Sequence, residues 1–157
     1  DMTDKQFKQM DKVYIFNKSQ NPDPEYQTLK AAGFDIASNE DVVIQPGKVE
    51  LLGTGLHFVL MPYYEAQIRL RSSLGMKGLI MPNAPGTIDE DYRGEIKVML
   101  HNLTSFPIKI KAGERIAQVV CAQSLRPKIH IMDSNEYNSP KYNTLRGEGG
   151  FGSTGKN

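Results

Sequence analysis

The chain has 157 residues, 39% of them hydrophobic and 24% charged, the composition of one globular domain with its own core. Nineteen Lys and Arg stand against 18 Asp and Glu, and a formal charge of +1 excludes broad electrostatic capture of nucleic acid or of an anionic membrane. No stretch is apolar for long enough to cross a bilayer, and the opening residues DMTDKQFKQMDK carry no apolar signal region. The one cysteine, Cys121, excludes an internal disulfide; its apolar neighbours in AQVVCAQ predict an inert thiol, in keeping with a reducing, cytoplasmic compartment. His57, His101 and His130 lie far apart with no cysteine or carboxylate at zinc-ligand spacing.

In chain order, VYIF (13–16) is the first short strand. The loop SQNPDPEYQTLKAA (19–32) reads only as a surface connection. DVVIQ (41–45), VELLG (49–53) and GLHFVLM (55–61) follow, punctuated by Pro46-Gly47 and Pro62. In YYEAQIRLR, Tyr64, Ala66, Ile68 and Leu70 alternate with Glu65, Gln67, Arg69 and Arg71, the period of a half-buried strand. SSLGMKG predicts one short helix with Ser72 or Ser73 as its N-cap. In EIKVML, Ile96, Val98 and Leu100 alternate with Glu95, Lys97 and Met99. FPIKIK (106–111), RIAQVV (115–120) and KIHIM (128–132) complete the set, with turns at Pro85-Gly86, Arg93-Gly94 and Ala112-Gly113. Many short strands at regular spacing predict an all-β sandwich or barrel. Apolar content collapses from Ser134, so residues 1–133 are the expected core and 134–157 an extended tail.

That tail contains RGEGGFGSTG, which matches G-x-G-x-x-G twice, through Gly147-Gly149-Gly152 and Gly150-Gly152-Gly155. A dinucleotide fingerprint must follow a strand and open a helix within a βαβ unit, and the chain has no such rhythm. A P-loop is also excluded, because Ser153 stands where its lysine belongs. Two readings stay open: a disordered glycine tail, or a bare backbone that wraps an anion with Arg146, Phe151, Ser153 and Thr154. Four further stretches carry chemistry-bearing residues. AAGFDIAS sets Asp35 close behind a glycine, and RLRSSLGMKG sets Arg71, Ser72 and Ser73 at a strand-to-helix junction where free N–H groups favour phosphate. NAPGTIDEDYRGEIKV places Asp89, Glu90, Asp91 and Tyr92 in one turn between two strands, and KAGERIAQVV contributes Gln118.

Taken together and in order, AGFDI, RSSLGMKG, NAPGTIDEDYRGEI, GERIAQVV and RGEGGFGSTG resemble the five motifs of the trimeric all-β dUTPase family, from about Ala32 to Gly155. The resemblance implies a jelly-roll-like, distorted β-barrel that assembles as a homotrimer, with each site built from three chains and closed by a neighbour's tail. It implies hydrolysis of dUTP to dUMP and pyrophosphate, by water attacking the α-phosphorus. This limits uracil in DNA and supplies dUMP for thymidylate synthesis. In that scheme uracil meets Asn83 and the backbone of Gly86, Thr87, Ile88 and Lys97, and Tyr92 lies under the deoxyribose. Asp89 orients and deprotonates the water. Arg71, Ser72, Ser73 and Gln118 hold phosphates, and Asp35 reaches Mg²⁺ through water. In the tail, Phe151 stacks on uracil, Arg146 meets the γ-phosphate, and Gly152, Ser153 and Thr154 offer donors to the outer phosphates. The alternative is the sister family, the dCTP deaminases, which share the fold and commonly carry Arg-Ser-Ser. Their glutamate falls at Met99 here, and methionine can neither accept nor donate the proton. A non-enzymatic β-sandwich is a third class, but it gives no reason for the Phe-bearing glycine tail.

Overall fold

The computed structural model describes residues 11–152 and residue 155; Ser153 and Thr154, two expected site residues, lie outside the described residues. The chain divides into two compact units, Asp1–Leu125 and Arg126–Asn157. The expected tail began at residue 134, within the second unit.

The regular structure described in the first unit is mostly short strands joined by turns and loops. These are β1 (Val13–Asn17), β2 (Phe34–Ala37), β3 (Val42–Ile44), β4 (Val49–Gly53), β5 (Leu56–Leu60) and β6 (Tyr64–Leu70). They continue with β7 (Leu79–Ile80), β8 (Gly86–Ile88), β9 (Lys97–Asn102), β10 (Ile108–Ile110) and β11 (Arg115–Gln123). Among the described residues of this unit one helix, α1 (Ser72–Met76), interrupts them. The strands form four antiparallel sheets in the orders β1-β5, β10-β3, β2-β11-β6-β8 and β4-β9-β7. Among the described residues they do not join into one closed ladder, so the expected barrel is present as separate sheets around a shared core.

The alternation read from the sequence is what packs them. On β6, Ala66 and Ile68 are buried while Gln67 and Arg69 face outward; on β9, Val98 and Leu100 are buried while Lys97 is exposed. Phe34, Ile36, Leu52, Phe58, Ile110, Ile116 and Val119 fill the same cluster. Each such side chain contributes about 1.5–3 kcal/mol by leaving water. Of the three buried polar residues among those described, Asn102 is the most heavily bonded. Its Nδ2 donates to the carbonyls of Ile44 (2.8 Å) and Phe106 (2.7 Å), and its Oδ1 accepts from the N–H and hydroxyl of Thr104. Among the described residues no buried side-chain nitrogen or oxygen lacks a partner.

Three local expectations are corrected. Arg71, not Ser72 or Ser73, occupies the N-cap of α1, in extended backbone (φ −73°, ψ 139°) and without a side-chain cap bond. The two serines therefore sit inside the first turn. KIHIM forms no strand: Ile129 and Ile131 are each 83% exposed and have no partner strand among the described residues, and alternation alone cannot make a ladder. The second unit is not wholly extended. It holds α2 (Ser134–Tyr137), capped by the Asp133 carboxylate accepting from the Glu136 N–H at 2.8 Å, and a 3₁₀ turn at Pro140–Tyr142. The cap and the proline fix local turns that hydrophobic content could not reveal.

Candidate active site

The two arms that flank the acidic turn, β8 and β9, do not pair with each other. Among the described residues β8 is the last strand of its sheet and bonds only β6, with Gly86 opposite Ile68, Thr87 opposite Gln67 and Ile88 opposite Ala66. β9 bonds β4 instead, and β7 covers its other edge only at His101 and Asn102. What draws the arms apart is Ile96, which is buried and whose N–H donates to the Leu56 carbonyl at 2.7 Å. Its carbonyl accepts from the Thr54 N–H at 3.2 Å and from the Thr54 hydroxyl at 2.5 Å. The second arm is thus fastened to the β4–β5 junction before it can meet β8.

The gap left between them is a cleft of about 280 Å³. It is lined by Asn83, Gly86, Thr87, Ile88, Asp89, Tyr92 and Lys97, together with Leu51, Ile68, Glu95 and Ile96. Both walls present strand edges without a partner strand among the described residues, so backbone donors and acceptors face the gap. Gly86 keeps the floor open, since a Cβ there would lie 3.3 Å from the Ile68 Cβ and the Met81 Cε. Gly94 lets the Tyr92 ring fold back: a Cβ at 94 would overlap that ring, whose hydroxyl donates to the Glu95 carbonyl at 3.0 Å. The Glu95 side chain in turn lies over Gly53. The Asp89 carboxylate takes no hydrogen bond from another described residue, and its carbonyl accepts from the Tyr92 N–H at 3.1 Å.

Asp35, Arg71, Ser72, Ser73 and Gln118 are not in that cleft. Asp35 on β2 lies opposite Gln118 on β11, which lies opposite Arg69 on β6. Asp35 is therefore three strands from β8, about 14 Å at the ordinary strand spacing. Its carboxylate, 18% exposed, pairs with Arg71 Nε and with Arg115 Nη1, each at 3.4 Å. Arg71 Nη1 also reaches the Arg115 carbonyl at 3.4 Å. Gly33 makes room for Gln118, because a Cβ there would lie 2.9 Å from the Gln118 Oε1. The serine hydroxyls of Ser72 and Ser73 have no partner among the described residues. Arg115 is the residue that sequence reading missed; it stands within GERIAQVV, where only Gln118 drew notice. Leu51 was also missed, although an outward apolar residue beside Leu52 in VELLG was its signal.

In the second unit, Arg146 Nε donates to the Gly149 carbonyl at 2.6 Å. Phe151 is fully exposed with φ 47°, and Gly152 follows with φ 85°. A fully exposed phenylalanine in left-handed backbone has no packing reason of its own.

A larger cavity of about 630 Å³, lined among others by Tyr26, Leu60, Tyr64 and Cys121, holds none of the expected site residues. Burial raises the Cys121 thiol above its ordinary 9.0 and, with a smaller push from Cys121, raises Tyr26. Tyr64 is raised first by its bond to Asp11, 2.6 Å away. Nothing there activates a nucleophile, so chemistry and not size selects the smaller cleft. Among the described residues no three His, Cys, Asp or Glu gather to hold a metal, and no helix is long and apolar enough to cross a membrane.

The dUTPase family model matches residues 12–155, nearly the whole chain. The chain belongs to the dUTPase family. It is 52% identical over 134 residues to the deoxyuridine 5'-triphosphate nucleotidohydrolase of Nautilia profundicola, covering 85% of this chain and 90% of the relative. The same enzyme of Cytophaga hutchinsonii is 48% identical over 147 residues, 92% of each chain. Among solved structures, the dUTPase of Staphylococcus bacteriophage 80alpha with dUPNHPP superposes with a TM-score of 0.81 at 24% identity, over 92% of this chain and 99% of that one. The Streptococcus mutans dUTPase gives 0.68 at 29% identity, over 73% and 98%. As a member of this family the chain is an enzyme, a nucleotidohydrolase.

Proposed function

We propose that the chain hydrolyses dUTP to dUMP and pyrophosphate and that the cleft between β8 and β9 receives the uracil. The observation that carries this reading is the cleft itself, lined by Asn83, Gly86, Thr87, Ile88, Asp89, Tyr92 and Lys97 around two strand edges without partners. A pyrimidine edge inserted between such arms completes their hydrogen bonds as a missing strand would. Cytosine presents the opposite donor and acceptor order at position 4, leaving buried groups unpaired. The narrow floor at Gly86 opposes a thymine methyl. The Tyr92 ring supplies an apolar seat for deoxyribose, with no partner for a 2′-hydroxyl.

Asp89 stands at the mouth of the cleft with its carboxylate free of hydrogen-bond partners among the described residues, in keeping with a base that must bind and deprotonate water. Water then attacks the α-phosphorus in line, and the bridging oxygen leaves with pyrophosphate. The protein's part is to position groups and neutralise charge. Arg71, Gln118 and the free N–H and hydroxyl groups of Ser72 and Ser73 form a donor cluster for phosphates. The donor chemistry fits an indirect Mg²⁺ site: Asp35 is one carboxylate already shared by two arginines, suited to a metal-bound water and not to a protein-only cage. Mg²⁺, when bound, neutralises triphosphate charge. A structural Mg(II) ion belongs to the dUTPase of phage phi11, a fold neighbour.

Because the base cleft and the phosphate cluster stand apart in one chain, we assign the complete site to a homotrimer in which different subunits supply them. Arg146, Phe151, Gly152, Ser153 and Thr154 of a further subunit's tail close over the nucleotide, with Phe151 on the uracil ring and Arg146 on the γ-phosphate. The product dUMP feeds thymidylate synthesis, and removal of dUTP limits uracil in DNA. The test incubates the protein with Mg²⁺ and each deoxynucleoside triphosphate and measures pyrophosphate and ammonia. Pyrophosphate from dUTP alone is expected; ammonia from dCTP would revive the deaminase reading. Met99, half-buried on β9 opposite Leu51, offers no proton for that chemistry.

A further inference from the structure

The Asp89 carboxylate has no hydrogen-bond donor of its own among the described residues, so its aim depends on how the acidic turn is held. On one side Ile88 is buried and paired to Ala66. On the other side stands Glu90. Its Oε2 accepts the backbone N–H of Tyr63 at 3.1 Å, and its carbonyl accepts Arg93 Nη1 at 2.6 Å. Tyr63 lies in the tight turn between β5 and β6 with φ 66°, left-handed backbone that a bulky residue rarely adopts. That turn is firm: the Tyr63 carbonyl accepts the Ser124 N–H at 2.8 Å and the Tyr64 N–H meets the Met61 carbonyl at 3.1 Å. Glu90 therefore fastens the turn to a second, rigid turn 27 residues away.

We propose that Glu90 is a positioning residue for Asp89, acting through its tether to the Tyr63 amide. The inference rests on the reading of Asp89 as the base. In this assignment the Glu90 carboxylate acts as an anchor, with Oε2 held by the Tyr63 amide, and does no chemistry itself. It removes the swing of the turn, so the base stays aligned with the attacking water. The loss of this tether acts on turnover and not on nucleotide binding, because the cleft walls at β8 and β9 are fastened separately, through β6 and Thr54.

Four variants test it. Glu90→Ala is expected to lower kcat about tenfold with KM for dUTP changed less than about twofold, as a small misplacement of a reacting group does. Glu90→Asp keeps the charge but shortens the reach by one methylene, and is expected to behave as Glu90→Ala. Glu90→Gln keeps an acceptor oxygen at the same length and is expected to stay within about twofold of the parent kcat. Amide exchange at Tyr63, followed by mass spectrometry of the β5–β6 turn, is expected to be slow in the parent and in Glu90→Gln and faster in Glu90→Ala. A parent-like kcat in Glu90→Ala, or equal loss in Glu90→Gln and Glu90→Ala, would overturn the tether. Full turnover in Asp89→Asn would overturn the reading of the base, and the inference with it.

Discussion

Replacing Thr54 by valine tests what keeps the cleft open. The swap keeps shape and removes only the hydroxyl, which donates to the Ile96 carbonyl at 2.5 Å and accepts the Leu56 N–H at 3.2 Å. Thr54 is 1% exposed, so water cannot replace either bond. At about 1 kcal/mol of net worth each, their loss costs about 2 kcal/mol. For a chain of this size that corresponds to about 4–8 °C in Tm, compared at equal protein concentration. The Ile96 carbonyl keeps the Thr54 N–H, so the arm loosens without detaching. Uracil binding is then expected to weaken, with KM for dUTP rising about three- to tenfold and kcat within about twofold, by steady-state pyrophosphate release. Thr54→Ser keeps both bonds and loses one methyl, about 1 kcal/mol, and is expected to leave KM unchanged. Equal KM values in the valine and serine variants would refute the claim that this hydroxyl holds the arms apart.

Gly86→Val is expected to fill the cleft floor, since a Cβ already meets Ile68, Met81 and, at 3.5 Å, the Asn83 side chain; dUTP turnover should fall at least about a hundredfold while the circular dichroism of the sheets persists, at about 1–3 kcal/mol of overpacking. Raising pH is expected to lower stability from about pH 9 upward, because the folded chain holds the Cys121 proton that the unfolded chain releases at its ordinary 9.0; Cys121→Ala should flatten part of that decline in Tm scans taken between pH 7.5 and 10.5. Ending the chain before Arg146 is expected to leave the assembly state unchanged by light scattering and to cripple dUTP hydrolysis; retained activity would dismiss the tail as a participant.

Strands were legible wherever alternation was strong. β4 is the predicted VELLG (49–53) with the same ends, and β6 begins where the Tyr64 alternation does. β7 and β8, with two and three residues, were not legible, because segments so short carry too little pattern and exist only by pairing with β9 and β6. The reverse failure is KIHIM, a good pattern with no partner. The cleft residues could be named from the NAPGTIDEDYRGEIKV stretch, but not the reason for a gap there. That reason is Ile96 bonding to Thr54 and Leu56, contacts across 42 and 40 positions that no local pattern encodes. Arg115 escaped for a similar cause: its role is visible only once β2 and β11 set it beside Asp35.

The splayed hairpin also bears on how the empty enzyme behaves in solution. A sheet that ends in a strand without a neighbour is a template for another chain's backbone, and among the described residues β8 is such an end. Its defences are its shortness, Pro85 just before it, which has no N–H to offer, and the run of carboxylates, Asp89, Glu90 and Asp91, just after it. On the proposed reading, the same open backbone that recognises a base is also a site of misassociation, and a nucleotide held there takes the place of a foreign strand. Substrate supply would then govern shelf life as well as turnover.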